Sequence, residues 1–184
     1  MRPVTAILAA VFSALISVAA YADQTDPRLD GLFEELQDVD SRRVATRIEA
    51  QIWRIWTETD NEPVRSLMAS AARAMERENY SAALGRLDTV VQLAPDYAEG
   101  WNRRATVRYL VGDYEGSLED IERVLDLEPR HFGALAGRGL CLVELDRLEG
   151  ALKAFNAALE VNPHAEGARL NREYVLEELD RRRI

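Results

Sequence analysis

Apolar positions recur through 64–163 at two periods at once. Within each segment they fall at three- and four-residue steps, which is helical spacing. Across segments they return every 34 residues. Leu67, Trp101 and Leu135 form one such series; Leu84, Leu118 and Leu152 form a second. Leu87, Ile121 and Phe155 form a third, and Val91, Leu125 and Leu159 a fourth. Smaller residues return at the same interval: Ala71, Ala105 and Gly139, then Ala83, Ser117 and Ala151, then Val90, Val124 and Ala158. Tyr80, Tyr114 and Leu148 open the second helix of each copy. Pro95, Pro129 and Pro163 close the copies, at 129 − 95 = 34 and 163 − 129 = 34. Small residues let antiparallel helices approach closely, and large ones fill the space between neighbouring hairpins. The pattern predicts three helical hairpins turning near Glu78-Asn79, Gly112-Asp113 and Asp146-Arg147. One hairpin cannot bury its apolar face alone, so the copies should stack.

The flanks follow other patterns. Leu29, Leu32, Phe33 and Leu36 sit at i, i+3, i+4 and i+7, an amphipathic helix. Asp38 to Ser41 break it, and Ala45, Ile48, Ile52, Ile55 and Trp56 make a second stripe. The length of this hairpin suits a degenerate repeat, although the small-residue spacing is lost. Terminal units of stacked arrays are commonly atypical because they cap the core. Trp53 and Trp56 share the apolar rows and are read as core. Thr57 to Pro63 is a polar linker. After Pro163, Ala168, Val175, Leu176 and Leu179 form a narrow stripe backed by Glu177, Glu178 and Asp180, a solvating cap helix. Arg181, Arg182 and Arg183 complement the dipole at its end.

The repeated pattern resembles the tetratricopeptide repeat (TPR), 34 residues of helix–turn–helix with a Trp, Leu, Gly, Tyr, Ala, Phe, Ala, Pro skeleton. Trp101, Ala105, Gly112, Tyr114, Leu118, Val124 and Pro129 match it in the second copy. Leu135, Gly139, Ala151, Leu152, Phe155, Ala158 and Pro163 match in the third, and Leu67, Ala71, Tyr80, Ala83 and Pro95 in the first. Arg104 and Arg108 depart from the usual Leu and Tyr, and Asp146-Arg147 replaces a Gly-Asp turn. The resemblance implies an all-α fold, a right-handed α-solenoid of three hairpins with an N-terminal helical hairpin and a C-terminal capping helix. The segments are then 1–22 signal peptide, 23–62 hairpin and linker, 63–96, 97–130 and 131–164 repeats, and 165–184 cap.

The resemblance also implies a protein- or peptide-binding module without enzymatic activity, whose first helices line a concave face. In the family's register that face carries Arg65, Met68, Ala72, Met75 and Glu76, then Glu99, Asn102, Thr106, Tyr109 and Leu110, then Gly133, Ala136, Leu140, Val143 and Glu144. The Lys- and Asn-lined groove with which some members grip a C-terminal carboxylate has no counterpart.

Composition narrows the function further. Net charge is −9 over 184 residues. Residues 1–22 hold one Arg and no acid, so the remainder carries −9 − 1 = −10. An acidic chain does not favour nucleic acid. Met1-Arg2, the apolar run Val4 to Val18 and the Ala20-Tyr21-Ala22 site read as a secretory signal cleaved after Ala22. That places the mature chain in a bacterial periplasm or outside the cell, with membrane contact only where the signal stays uncut. Cys141 is the sole cysteine, which excludes an internal disulfide and reads as packing. No zincin motif, nucleophile elbow or phosphate loop is present. His131 and His164 are assigned to surface or helix-capping roles, with Glu128 a solvent-edge acid; no metal or cofactor is expected.

Overall fold

The computed structural model describes residues 24–183. The segment expected to be a signal peptide, with its expected cleavage site after Ala22, lies outside the described residues. These fold as α1 (Arg28–Asp38), α2 (Arg42–Thr57), α3 (Glu62–Glu76), α4 (Tyr80–Leu93), α5 (Ala98–Leu110), α6 (Tyr114–Leu127), α7 (Phe132–Glu144), α8 (Leu148–Val161) and α9 (Glu166–Arg182), with no strand among them. The second helices α4, α6 and α8 start at 80, 114 and 148 and end at 93, 127 and 161, so the 34-residue period is kept residue for residue.

Each hairpin turns the same way. Glu78, Gly112 and Asp146 have left-handed backbone, with φ of 56°, 82° and 58°. The next amide reaches back to Ala74, Arg108 and Leu142 carbonyls at 2.9, 2.9 and 2.8 Å. This is the Schellman closure, which satisfies the last carbonyls of a helix. Only the middle copy uses glycine at the left-handed step, so Asp146 preserves the geometry of the Gly-Asp turn that it replaces. Asn79 and Asp113 then cap the following helices through their side chains, accepting from the Ala82 and Gly116 amides.

The helix crossings are set by paired volumes 16 residues apart. Ala71 faces Leu87, Ala105 faces Ile121 and Gly139 faces Phe155. The largest partner stands opposite the smallest residue. A Cβ on Gly139 would lie 2.6 Å from Cζ of the fully buried Phe155 ring. Gly139→Leu should therefore destabilise the fold by about 1–3 kcal/mol or more through overpacking. Urea unfolding of variant and parent measures it, and an unchanged midpoint would remove the close-contact account.

Arg104 and Arg108 are explained by an acid on the facing helix. Arg104 forks Asp120 at 2.9 and 2.7 Å and reaches Asp88 of the preceding hairpin at 2.9 Å. Arg108 Nε comes within 3.5 Å of Asp120 and its Nη1 donates to the Gly116 carbonyl. Asp120 is only 1% exposed. An apolar Leu contact has become an inter-helix ion pair.

The N-terminal hairpin is the main correction. It does not stack on α3 as a terminal repeat. It lies across the edge where one repeat joins the next and ties all three junctions. Tyr97 Oη donates to the Thr57 carbonyl at 3.0 Å at the first. Arg130 pairs with Asp30 at 2.7 Å and stacks over Phe33 at the second. Gln37 reaches the Glu160 and Val161 carbonyls, and Asn162 donates to Glu49, at the third. Its core of Leu29, Phe33, Leu36, Ile48, Ile52, Ile55 and Trp56 takes in Phe132, the first residue of α7. At the far end α9 covers the third repeat with Ala168 and Val175, while Leu176, expected in that stripe, is 43% exposed.

Candidate groove on the first-helix face

A cleft of about 210 Å³ opens between α5 and α7. Asn102, Thr106 and Tyr109 form one wall, and Gly133, Ala136, Gly137 and Leu140 the other. Ser117, Ile121 and Cys141 are buried and close its floor. The opening is widened by alanine at 136 and glycine at 137 on α7, where a Cβ at 137 would meet only Ile121 of α6; Gly133 instead makes room for Trp53. A second cleft of about 130 Å³ gathers Met68, Ala72 and Met75 with Thr57, Leu87 and Arg103. A shallow depression lined by Trp53, Glu99, Asn102, Arg103 and Thr106 shares residues with both. The three form one groove running from α3 to α7.

Most of the residues assigned to this face from sequence come together here, but Arg65, Glu76, Leu110, Val143 and Glu144 line none of the three depressions. Glu99 lies beneath the groove, 1% exposed. Val143 packs into the core of the third repeat. Leu110 is exposed past the end of the cleft. Arg65 turns back to Glu62 and the Thr59 carbonyl. Arg103, Gly137, Ser117, Ile121 and Thr57 were missed, because they belong to neighbouring helical rows or to other elements.

Glu99 is part of a buried polar cluster under the N-terminal hairpin. Its carboxylate accepts from Arg103 Nε at 2.6 Å and Asn102 Nδ2 at 2.7 Å, and His131 Nε2 lies 3.5 Å away. Burial alone would raise its pKa; His131, Arg103 and Asn102 outweigh burial and hold it below the ordinary 4.5. His131 is fully buried, not at the surface. Its Nδ1 accepts from the Ala134 amide and caps α7, so the capping role stands. Its ring stacks on Trp56 at 4.1 Å with 9° between planes, and Trp53 meets it edge-on. Glu128 is likewise buried, 3% exposed, and paired with Arg130.

The cleft holds no reactive group. Burial pushes the Cys141 thiol up, and it donates to Ser117 Oγ at 3.3 Å. Ser117 in turn donates to the Ala105 carbonyl at 2.8 Å. The thiol is thus kept protonated, which is the wrong form for a nucleophile. Among the described residues no group of three or more His, Cys, Asp or Glu is placed to hold a metal ion, and no helix is long and apolar enough to cross a membrane. What the groove offers is shape, apolar surface and a few polar anchors, which suits recognition of another chain.

Known proteins share the repeat fold. The family model described as tetratricopeptide repeat matches residues 104–166. A TPR repeat-containing protein of Rhizobium etli is 44% identical over 115 residues, 62% of this chain and 56% of its own length. Tetratricopeptide repeat protein 36 of Homo sapiens is 31% identical over 98 residues, 53% of this chain and 52% of that protein. The chain therefore spans about half the length of these relatives. Among solved structures, the first TPR of Spaghetti (RPAP3), bound to the HSP90 peptide SRMEEVD, superposes with a TM-score of 0.64 at 18% identity, covering 66% of this chain and 96% of that one. The Sgt2 TPR domain from Aspergillus fumigatus gives 0.63 at 21% identity, covering 65% and 81%. At these identities the likeness is one of fold.

Proposed function

From the premise that this is a tetratricopeptide-repeat protein, we propose that it is an exported, non-enzymatic scaffold or adaptor of the bacterial cell envelope. It binds a protein or peptide partner in the groove between α5 and α7. The observation that carries this reading is the apolar cleft of about 210 Å³, open to solvent beside a fully packed core. The neighbour solved with an HSP90 peptide supports a segment of another chain as the occupant. Export rests on the basic start, the apolar run and the Ala-x-Ala site at 20–22. Retention of that run would make the protein a membrane-tethered subunit with the same groove. An acid–base enzyme gains no support, since Glu99, Asp120 and Glu128 are each neutralised by an arginine.

Tyr109 is the expected anchor. Its ring lines the cleft and packs on Tyr114 at 5.5 Å between centroids. Burial first, and the Glu144 carboxylate second, raise its hydroxyl pKa, so it stays a neutral donor. Truncation of such an anchor costs about 1–2 kcal/mol or more of binding. The test starts in the periplasmic fraction, where mass spectrometry should find a chain beginning at Asp23. Its partner is then titrated against parent, Tyr109→Ala and the distant Glu119→Ala. Weakening by Tyr109→Ala alone is the expected result. Equal binding of all three sinks the groove assignment, and an intact N-terminus in the membrane fraction sinks cleavage.

A further inference from the structure

Resting on that groove reading, we propose that the groove selects a segment with a bulky apolar side chain beside Lys or Arg, and rejects an acidic one. Helices α3, α5 and α7 end at Glu76, Leu110 and Glu144, equivalent positions at 110 − 76 = 34 and 144 − 110 = 34. One edge of the groove therefore presents carboxylate, leucine, carboxylate. Leu110 is 47% exposed and Val111 beside it 48%. Among the described residues neither Glu76 nor Glu144 has a basic partner in ion-pair range. Glu144 lies against the Tyr109 hydroxyl at 3.5 Å, at the mouth of the cleft. Three helix C-termini meet this edge and add negative dipole ends. The last turns of α3 and α5 carry Arg73 and Arg108, while that of α7 holds no basic residue to offset its own dipole end.

The arginines of the face are already engaged. Arg103 is held by buried Glu99, and Arg65 by Glu62. A carboxylate arriving in the cleft between α5 and α7 would meet Glu144 at its mouth and no guanidinium among the lining residues of that cleft. A cation would find Glu144 while its apolar neighbour entered between Tyr109 and Gly137. Like charges brought together across a contact repel, so the selection acts by rejection as well as attraction.

The probes are two labelled synthetic peptides of equal length. One alternates Phe and Leu with Lys; the other has Glu at every Lys position. Fluorescence anisotropy at low salt reads their affinities. The Lys peptide should bind the parent about tenfold or more tighter. Glu144→Gln should remove most of that preference, while Glu119→Gln on the outer face should leave it. Gly137→Leu should weaken both peptides by filling the cleft. Only Ile121 Cδ1, at 3.6 Å, faces a Cβ at Gly137, so this variant keeps its fold, which a matched thermal melt verifies. Equal or tighter binding of the Glu peptide, still sensitive to Gly137→Leu, overturns the charge selection and leaves the groove standing. An equal effect of Glu119→Gln assigns the preference to net charge and also overturns it. Insensitivity of both peptides to Gly137→Leu overturns the groove reading itself.

Discussion

Trp56→Ala should lower stability by about 3–5 kcal/mol, the range for removing a buried large aromatic. Trp56 is 1% exposed and sits where the N-terminal strap packs on the junction before α7. It stacks on His131, meets Trp53 edge-on at 5.3 Å, and packs on Phe33 and Phe132. Those contacts join three stretches of chain: the hairpin, the junction before α7 and the start of α7 itself. The cavity left behind could not collapse, because His131 is held by its cap on α7 and Phe132 by the helix. The buried charge of Glu99 would then lie one residue from a void. Urea unfolding should show a lower midpoint. Trp56→Phe should lose less, because it keeps an aromatic stack and removes an indole N–H that has no partner. An unchanged midpoint in Trp56→Ala would mean that the hairpin is a loose appendage rather than a strap across the repeats.

Asp120→Ala should cost about 3 kcal/mol, the low end for breaking a buried ion pair by removing one partner. Asp120 is buried between Arg104 and Arg108, and the Arg104 side chain is only 13% exposed. Removing the carboxylate leaves a guanidinium with the half-exposed Asp88 as its remaining partner. Its exposure and that partner keep the loss from reaching the upper end. Adding Arg104→Leu to Asp120→Ala should restore most of the stability, since a paired charge can be exchanged for apolar packing at little cost. A double-mutant cycle by urea unfolding reads the coupling. Additive losses would show that the pair contributes no more than two separate surface charges.

The repeat was legible because its signal is redundant. Eight series at 34-residue spacing, three prolines and three turn positions all point to one hairpin written three times. Even the departures kept their register, as Asp146 shows by taking the left-handed step of Gly112. The fate of the polar residues was not legible. Asp120 looks like a solvated residue because Arg104 and Arg108 lie on another helix, and His131 because Trp53 and Trp56 come from the distant N-terminal hairpin; Glu99 and Glu128 pair locally, but periodicity carries no record of what buries them. The placement of the N-terminal hairpin was hidden for the same reason. Its apolar stripe announces that something is covered, but does not say what. The nearest hint lay outside it: Phe132 and His131 stand at a repeat junction, and Gly133 follows them. A Cβ there would lie 2.7 Å from Trp53, so the glycine marks where the strap touches α7. The groove was legible as a face and not as a cleft, because its depth depends on what Ala136 and Gly137 leave empty.

The central claim is that a partner segment lies between α5 and α7. Site-specific photocrosslinking tests it most directly. A benzophenone side chain is placed at Ala136 inside the cleft, and separately at Glu122 in the outer furrow between α6 and α7. With the purified partner, irradiation should give a covalent adduct from position 136 and none from position 122. An adduct from 122 with none from 136 would place the partner on the outer face and contradict the account.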